Sequence, residues 1–233
     1  MVDFDILRQD LRGLDGDLYL CHLFAPSEHR DRLLTLYRLY ADIARVPFDV
    51  SEPMLGAIRL QWWRDLIAAT DKTASGAPVG EAMQIYDFPP EMLLPLVDAR
   101  EPALNRTAGE GADPSLEAEA AIAGPALIRA ACYALDVTSP ADELVQKAGK
   151  GFEWLRLAGS DTERHLSQMP QIGELLKNAC RLFNALPRTE RKSILPVFLA
   201  VGLARRHAAA FPRQKSLFAY QLSLLKMAFT GRL

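Results

Sequence analysis

Apolar residues in this sequence recur at intervals of three and four, and that pattern restricts the fold more than any other feature. Leu33, Leu34, Leu36, Tyr37, Leu39 and Tyr40 mark one broad apolar face. Leu55, Ile58, Trp62, Leu66 and Ala69 mark a second, and Leu175, Leu176, Ala179, Leu182, Phe183 and Leu186 a third. A period near 3.6 belongs to helices with one buried side. Sustained apolar–polar alternation rich in Val, Ile and Thr, the mark of half-buried strands, is absent. The expected fold class is all-α.

Punctuation divides the chain into eight to ten helices. Ser27 is placed to cap a helix over 28–44, and Pro47 ends it near Arg45. Ser51 is placed to cap the next, with Pro53 in its first turn, where a missing N–H costs little. Gly76-Ala77-Pro78 and Phe88-Pro89-Pro90 mark loops. Asp113-Pro114 reads as the start of a helix that Gly124-Pro125 should kink or split. Ser139-Pro140, Met169-Pro170, Pro187 and Phe211-Pro212 divide the remainder. Residues 101–116 read as a loop inside one domain, not as a boundary, so the expectation is a single helical domain over 1–233.

Composition excludes several classes. Lys+Arg 27 against Asp+Glu 29 leaves a net charge of −2, without the basic excess of a dedicated nucleic-acid binder. Three widely spaced cysteines, Cys21, Cys132 and Cys180, give neither a disulfide framework nor a zinc pair, so buried thiols in a reducing compartment are expected. The N-terminus is acidic where a signal peptide is basic, and no run of 18 apolar residues occurs. The expected location is cytoplasmic, with peripheral contact at the inner membrane as the variant. Arg205-Arg206-His207 with Arg213 and Lys215 form a basic cluster. It reads either as a solvated helix end favoured by the dipole or as a contact for anionic headgroups or an acidic partner.

The most distinctive stretch runs from Leu36 to Asp65 and contains Leu39-Tyr40-Ala41, Asp42-Ile43-Ala44-Arg45-Val46 and Arg59-Leu60-Gln61-Trp62-Trp63-Arg64. Arg59 and Trp63 lie one helical turn apart, so the guanidinium can cover the indole. These segments resemble the squalene/phytoene synthase family, the head-to-head prenyl transferases of the isoprenoid synthase fold. The segment 86–101, the helix over 116–135 and the stretch from Ala179 to Pro196 extend the resemblance to about residues 15–210. It implies an all-α isoprenoid-synthase-like bundle and a prenyl diphosphate ligand.

The departures from the family pattern bear on function. In the family an Asp-Asp-x-x-Asp motif follows the Leu-Tyr-Ala stretch; here those positions hold Pro47, Phe48, Asp49, Val50 and Ser51. The second acidic motif should fall near Gly149–His165, where Glu153, Asp161 and Glu163 stand in a different pattern. The family's Ser-x-Ser-Phe contact appears as Tyr19-Leu20-Cys21-His22-Leu23-Phe24. Departure of diphosphate concentrates negative charge, which the synthases neutralise with Mg²⁺ held by carboxylates. The resemblance is nearer to the branch that lacks these motifs and includes respiratory complex I assembly factors.

The resulting expectation is a non-catalytic family member without a cofactor. Its partner is a prenyl lipid, a prenyl diphosphate or a respiratory-complex protein, and peripheral membrane contact is among the options, but nucleic acid is not. Asp42, Asp49, Arg59, Trp62, Trp63 and Glu153 are the candidate pocket residues. The alternative is a prenyl transferase acting on farnesyl or geranylgeranyl diphosphate, with Mg²⁺ held by Asp42, Asp49, Glu153, Asp161 and Glu163. A third reading is a helical interaction module with a closed cavity.

Overall fold

The computed structural model describes residues 2–106, 113, 115–159, 166–210 and 217–233. Among them the regular structure is wholly helical: eleven α-helices, one more than the upper expectation, and three short 3-10 turns. The chain contacts form two compact units, Met1–Ala108 and Gly109–Leu233, with the division inside the 101–116 segment.

The first unit holds α1 (Phe4–Leu14), α2 (Gly16–His22), α3 (Ser27–Arg45), α4 (Pro53–Ala68), α5 (Pro78–Ile85) and α6 (Pro90–Asp98). Helix α3 is its centre, packed against α1, α2, α5 and α6. Its apolar face, Leu33 to Tyr40, is buried as the periodicity predicts. Asp3 and Asp15 serve as N-caps of α1 and α2, the latter accepting from the Leu18 N–H at 3.0 Å. Ser27 does not cap α3. It lies in the first turn, its hydroxyl donating to Glu28, and Pro26 occupies the cap. Likewise Glu52, not Ser51, precedes Pro53 at the head of α4.

Helix α4 buries a different face from the one its spacing suggests. Gly56, Leu60, Trp63 and Ile67 turn inward together with Leu66 of the expected face, whereas Leu55, Ile58 and Trp62 are exposed. The helix is apolar almost all round, so periodicity alone leaves its rotation open. Gly56 decides it. A Cβ there would stand 2.3 Å from Leu104 Cδ2, so the absence of a side chain lets this face pack closely on the neighbouring segment. Arg64 fixes the same rotation, donating to Asp98 and Glu101 at 2.8 Å each.

The second unit holds α7 (Ser115–Ala134), α8 (Asp142–Gly159), α9 (Met169–Ala185), α10 (Arg188–Ala210) and α11 (Leu217–Thr230), each packed on the next. The Asp113 carboxylate accepts from the Ser115 N–H at 2.8 Å at the head of α7. Gly124-Pro125 does not split α7, which continues through it. At this point α7 crosses α8 backbone to backbone: a Cβ on Gly124 would lie 2.0 Å from the Gly149 carbonyl oxygen. Leu176, Phe183 and Phe198 fill the core beyond, the two rings stacked with centroids 5.1 Å apart. All three cysteines are buried and free, as expected. Burial pushes the Cys132 thiol up to about 12. No described helix is long and apolar enough to cross a membrane.

Candidate functional site

Five of the six candidate residues line one cavity of about 370 Å³ in the first unit. Asp42, Asp49, Arg59, Trp62 and Trp63 meet there with Leu7, Asp10 and Arg38. Such a volume lies within the range of small-molecule sites. The cavity exists because α3 ends at Arg45 and a tight turn follows. The Asp49 N–H donates to the Arg45 carbonyl at 3.0 Å, which carries Asp49 back toward the face that bears Asp42. Pro47 therefore bends the chain without separating the two aspartates. Glu153 is placed elsewhere: it is buried in α8 of the second unit and is not among the lining residues. Asp161 and Glu163 lie outside the described residues.

Arginines engage the cavity's carboxylates. Arg38 pairs with Asp42 one turn along α3 and with Asp10 of α1 at 3.3 Å. Arg45 pairs with Asp49 at 3.1 Å on the more exposed side. Burial pushes the Asp42 carboxyl above the usual carboxylate range, against the opposing pull of Arg38. Asp10 and Arg38 were not legible as site residues. Arg38 and Asp42 share a helical i,i+4 spacing that hints at a pair, but nothing local ties Asp10 to them.

The apolar wall is aromatic. Trp62 and Trp63 meet edge to face with ring centroids 4.7 Å apart. Trp63 is buried and Trp62 is 41% exposed, so one anchors the wall and the other opens onto solvent. Arg59 does not cover Trp63. Its side chain forms no ion pair, hydrogen bond or ring contact among the described residues, although it lines the cavity. Its guanidinium has no counter-charge among the described residues.

This donor set does not fit a magnesium cluster. Mg²⁺ requires near-octahedral oxygen ligands, and Asp10, Asp42 and Asp49 already point oxygens at guanidinium groups. Among the described residues no group of three His, Cys, Asp or Glu side chains is placed to hold a metal ion.

A second groove, of about 880 Å³, lies within the other unit between α9 and α10. Lys177, Arg181 and Arg205 line it with Glu174, over apolar residues that include Met169 and Pro170. No site residue was expected there apart from Arg205 of the basic cluster. The cluster's Arg213 and Lys215 lie outside the described residues.

Comparison with known proteins agrees with this architecture. The squalene/phytoene synthase family matches over residues 11–152, which carries the whole cavity except Leu7 and Asp10. Among curated proteins, the chain is similar to the human protein named NADH dehydrogenase (ubiquinone) complex I, assembly factor 6, at 29% identity over 102 residues. The match takes in 41% of this chain and 30% of the human protein. The rat protein of the same name is 30% identical over 102 residues, with the same shares covered. The matched stretch thus spans under a third of the length of these relatives. No solved structure matches the chain. With more than half of its length matched, the chain belongs to the squalene/phytoene synthase family.

Proposed function

We propose that this protein is a non-catalytic member of its family that binds a prenyl lipid or a prenyl diphosphate in the first-unit cavity, in the service of respiratory complex assembly. One observation carries the reading: the cavity keeps an aromatic wall and a free Arg59, while arginines hold its carboxylates. An apolar chain would lie against Trp62 and Trp63, and its anionic head would meet Arg59. Catalysis of the family type would require those carboxylates to gather metal at a leaving diphosphate, and each would first have to leave its arginine. The relatives named as complex I assembly factors support the link to a respiratory partner.

Calorimetric titration with farnesyl and geranylgeranyl diphosphate, with and without Mg²⁺, tests the reading. The expected result is binding that is indifferent to Mg²⁺ and releases no pyrophosphate. Mg²⁺-dependent release of pyrophosphate would overturn the non-catalytic reading. Absence of binding in every arm would overturn the prenyl ligand and leave a protein partner, to be sought by assaying assembled complex I in cells lacking the protein.

A further inference from the structure

The charge of this chain is unevenly distributed. Residues 191–233 contain eight Lys and Arg and no Asp or Glu, whereas residues 1–190 contain 19 Lys and Arg against 29 Asp and Glu. A near-neutral sequence thus carries a strongly cationic stretch over 191–233. Such asymmetry points to an anionic partner surface.

Helix α11 lies in this stretch and has two apolar faces. The inner one is fixed. Leu224 and Met227 are buried, and Met227 fills the space over Gly202 of α10, where a Cβ would stand 2.6 Å from its sulfur. Arg206 of α10 donates to Ser223. Just beyond the helix, the Leu233 N–H donates to Asn184 Oδ1 at 3.1 Å, and Asn184 Nδ2 donates to the Leu233 carbonyl at 2.9 Å. The outer face is therefore held outward. It carries Leu222 (57% exposed), Leu225 (47%) and Phe229 (91%). At 100° per residue these fall within an arc of about 60°. The side chains of Lys226, beside the arc, and Arg232, past the helix end, form no ion pair or hydrogen bond among the described residues.

We infer that the outer face of α11 docks on an anionic lipid bilayer, with Leu222, Leu225 and Phe229 entering the headgroup–acyl boundary while Lys226 and Arg232 meet the lipid phosphates. An interfacial helix needs an apolar strip, flanking cations and few acids, and this one has all three. Nucleic acid is the other polyanion such charge could attract, but a nearly fully exposed Phe and two Leu would contribute little along a phosphate backbone. The inference is carried by the second unit alone. A failed prenyl diphosphate titration leaves it standing, and a failed vesicle assay leaves the cavity reading standing.

The test is co-sedimentation of the full chain with phosphatidylcholine vesicles, pure or containing phosphatidylglycerol. Partition at least about tenfold stronger onto the anionic vesicles is expected, and it should weaken in high salt. Lys226→Ala and Arg232→Ala should each weaken it about fivefold. Leu222→Ser with Phe229→Ser should weaken it more, with the melting temperature unchanged because both side chains are exposed. An environment-sensitive dye on Phe229→Cys should shift to the blue on anionic vesicles only. Equal partition onto both vesicle types, no partition, indifference to the Phe229 variant, or preference for duplex nucleic acid over vesicles would each overturn the inference.

Discussion

Arg38 joins two carboxylates from different helices, and its removal would be felt by both. Asp42 would keep its burial and lose its counter-charge, so its carboxyl would rise further. Arg38→Leu should cost about 1–3 kcal/mol in urea unfolding at neutral pH, less than a fully buried pair because Asp10 is partly exposed. The loss should shrink as the pH falls and Asp42 accepts a proton. A variant as stable as wild type at neutral pH would count against the ion pairs described.

His22 makes a second prediction at the residue scale. Its ring is buried, Nδ1 lies on the Tyr19 carbonyl, and Nε2 has no hydrogen-bond partner among the described residues. Burial, aided by Arg8 and Arg30 and opposed by the Tyr19 carbonyl and Asp31, lowers its pKa from 6.5 to about 4. Between these values the unfolded chain binds more protons than the native one. Stability therefore falls as the pH drops through that window, by about 3 kcal/mol from this group. Urea midpoints at pH 7 and pH 4 for wild type and His22→Leu would isolate the contribution. A difference between the two proteins that does not change with pH would refute it.

At the scale of elements, the α7–α8 crossing is the least tolerant contact of the second unit. Gly124 and Gly149 face each other backbone to backbone, so an added methyl meets atoms that no rotamer change can move. Gly149→Ala should cost about 3 kcal/mol or more, read as a lower urea midpoint. Gly173 in α9 is the matching control. Nothing lies within 4 Å of a Cβ there, so Gly173→Ala should stabilise by about 0.5–1 kcal/mol through helix propensity. Thermal melts of the two variants should move in opposite directions. The same crossing explains why Gly124-Pro125 leaves α7 intact: the glycine is there for a close neighbour, and the helix is held by what it touches.

At the scale of the molecule, catalysis and scaffolding differ in what they ask of the aspartates. A metal-assembling enzyme would lose at least about a hundredfold in activity on Asp42→Asn with Asp49→Asn. A binding protein should keep its function with the pair at a modest cost in stability, since the amides keep the shape, Arg38 retains Asp10 and Arg45 loses only an exposed partner. Under the proposed role, complex I assembly in cells lacking the protein should be restored by the double variant as by wild type. Failure of the variant to restore assembly, with its fold intact, would point back to chemistry at these carboxylates.

Much of this was legible in the sequence, because helical period, proline placement and the Trp62-Trp63 segment are local properties that burial on one side leaves in plain view. They determined an all-α chain, the end of α3 near Arg45, the buried cysteines and the family. Other features depended on neighbours far along the chain. The rotation of α4 was set by Leu104 beneath Gly56 and by the Arg64 pairs, so Ile58 and Trp62 face out where spacing alone suggested in. Asp10 joined the cavity only because α1 packs on α3, and Glu153 was drawn into the α8 core. Periodicity records which residues share a face. Only the packing of one helix on another decides which face is buried and which charges meet.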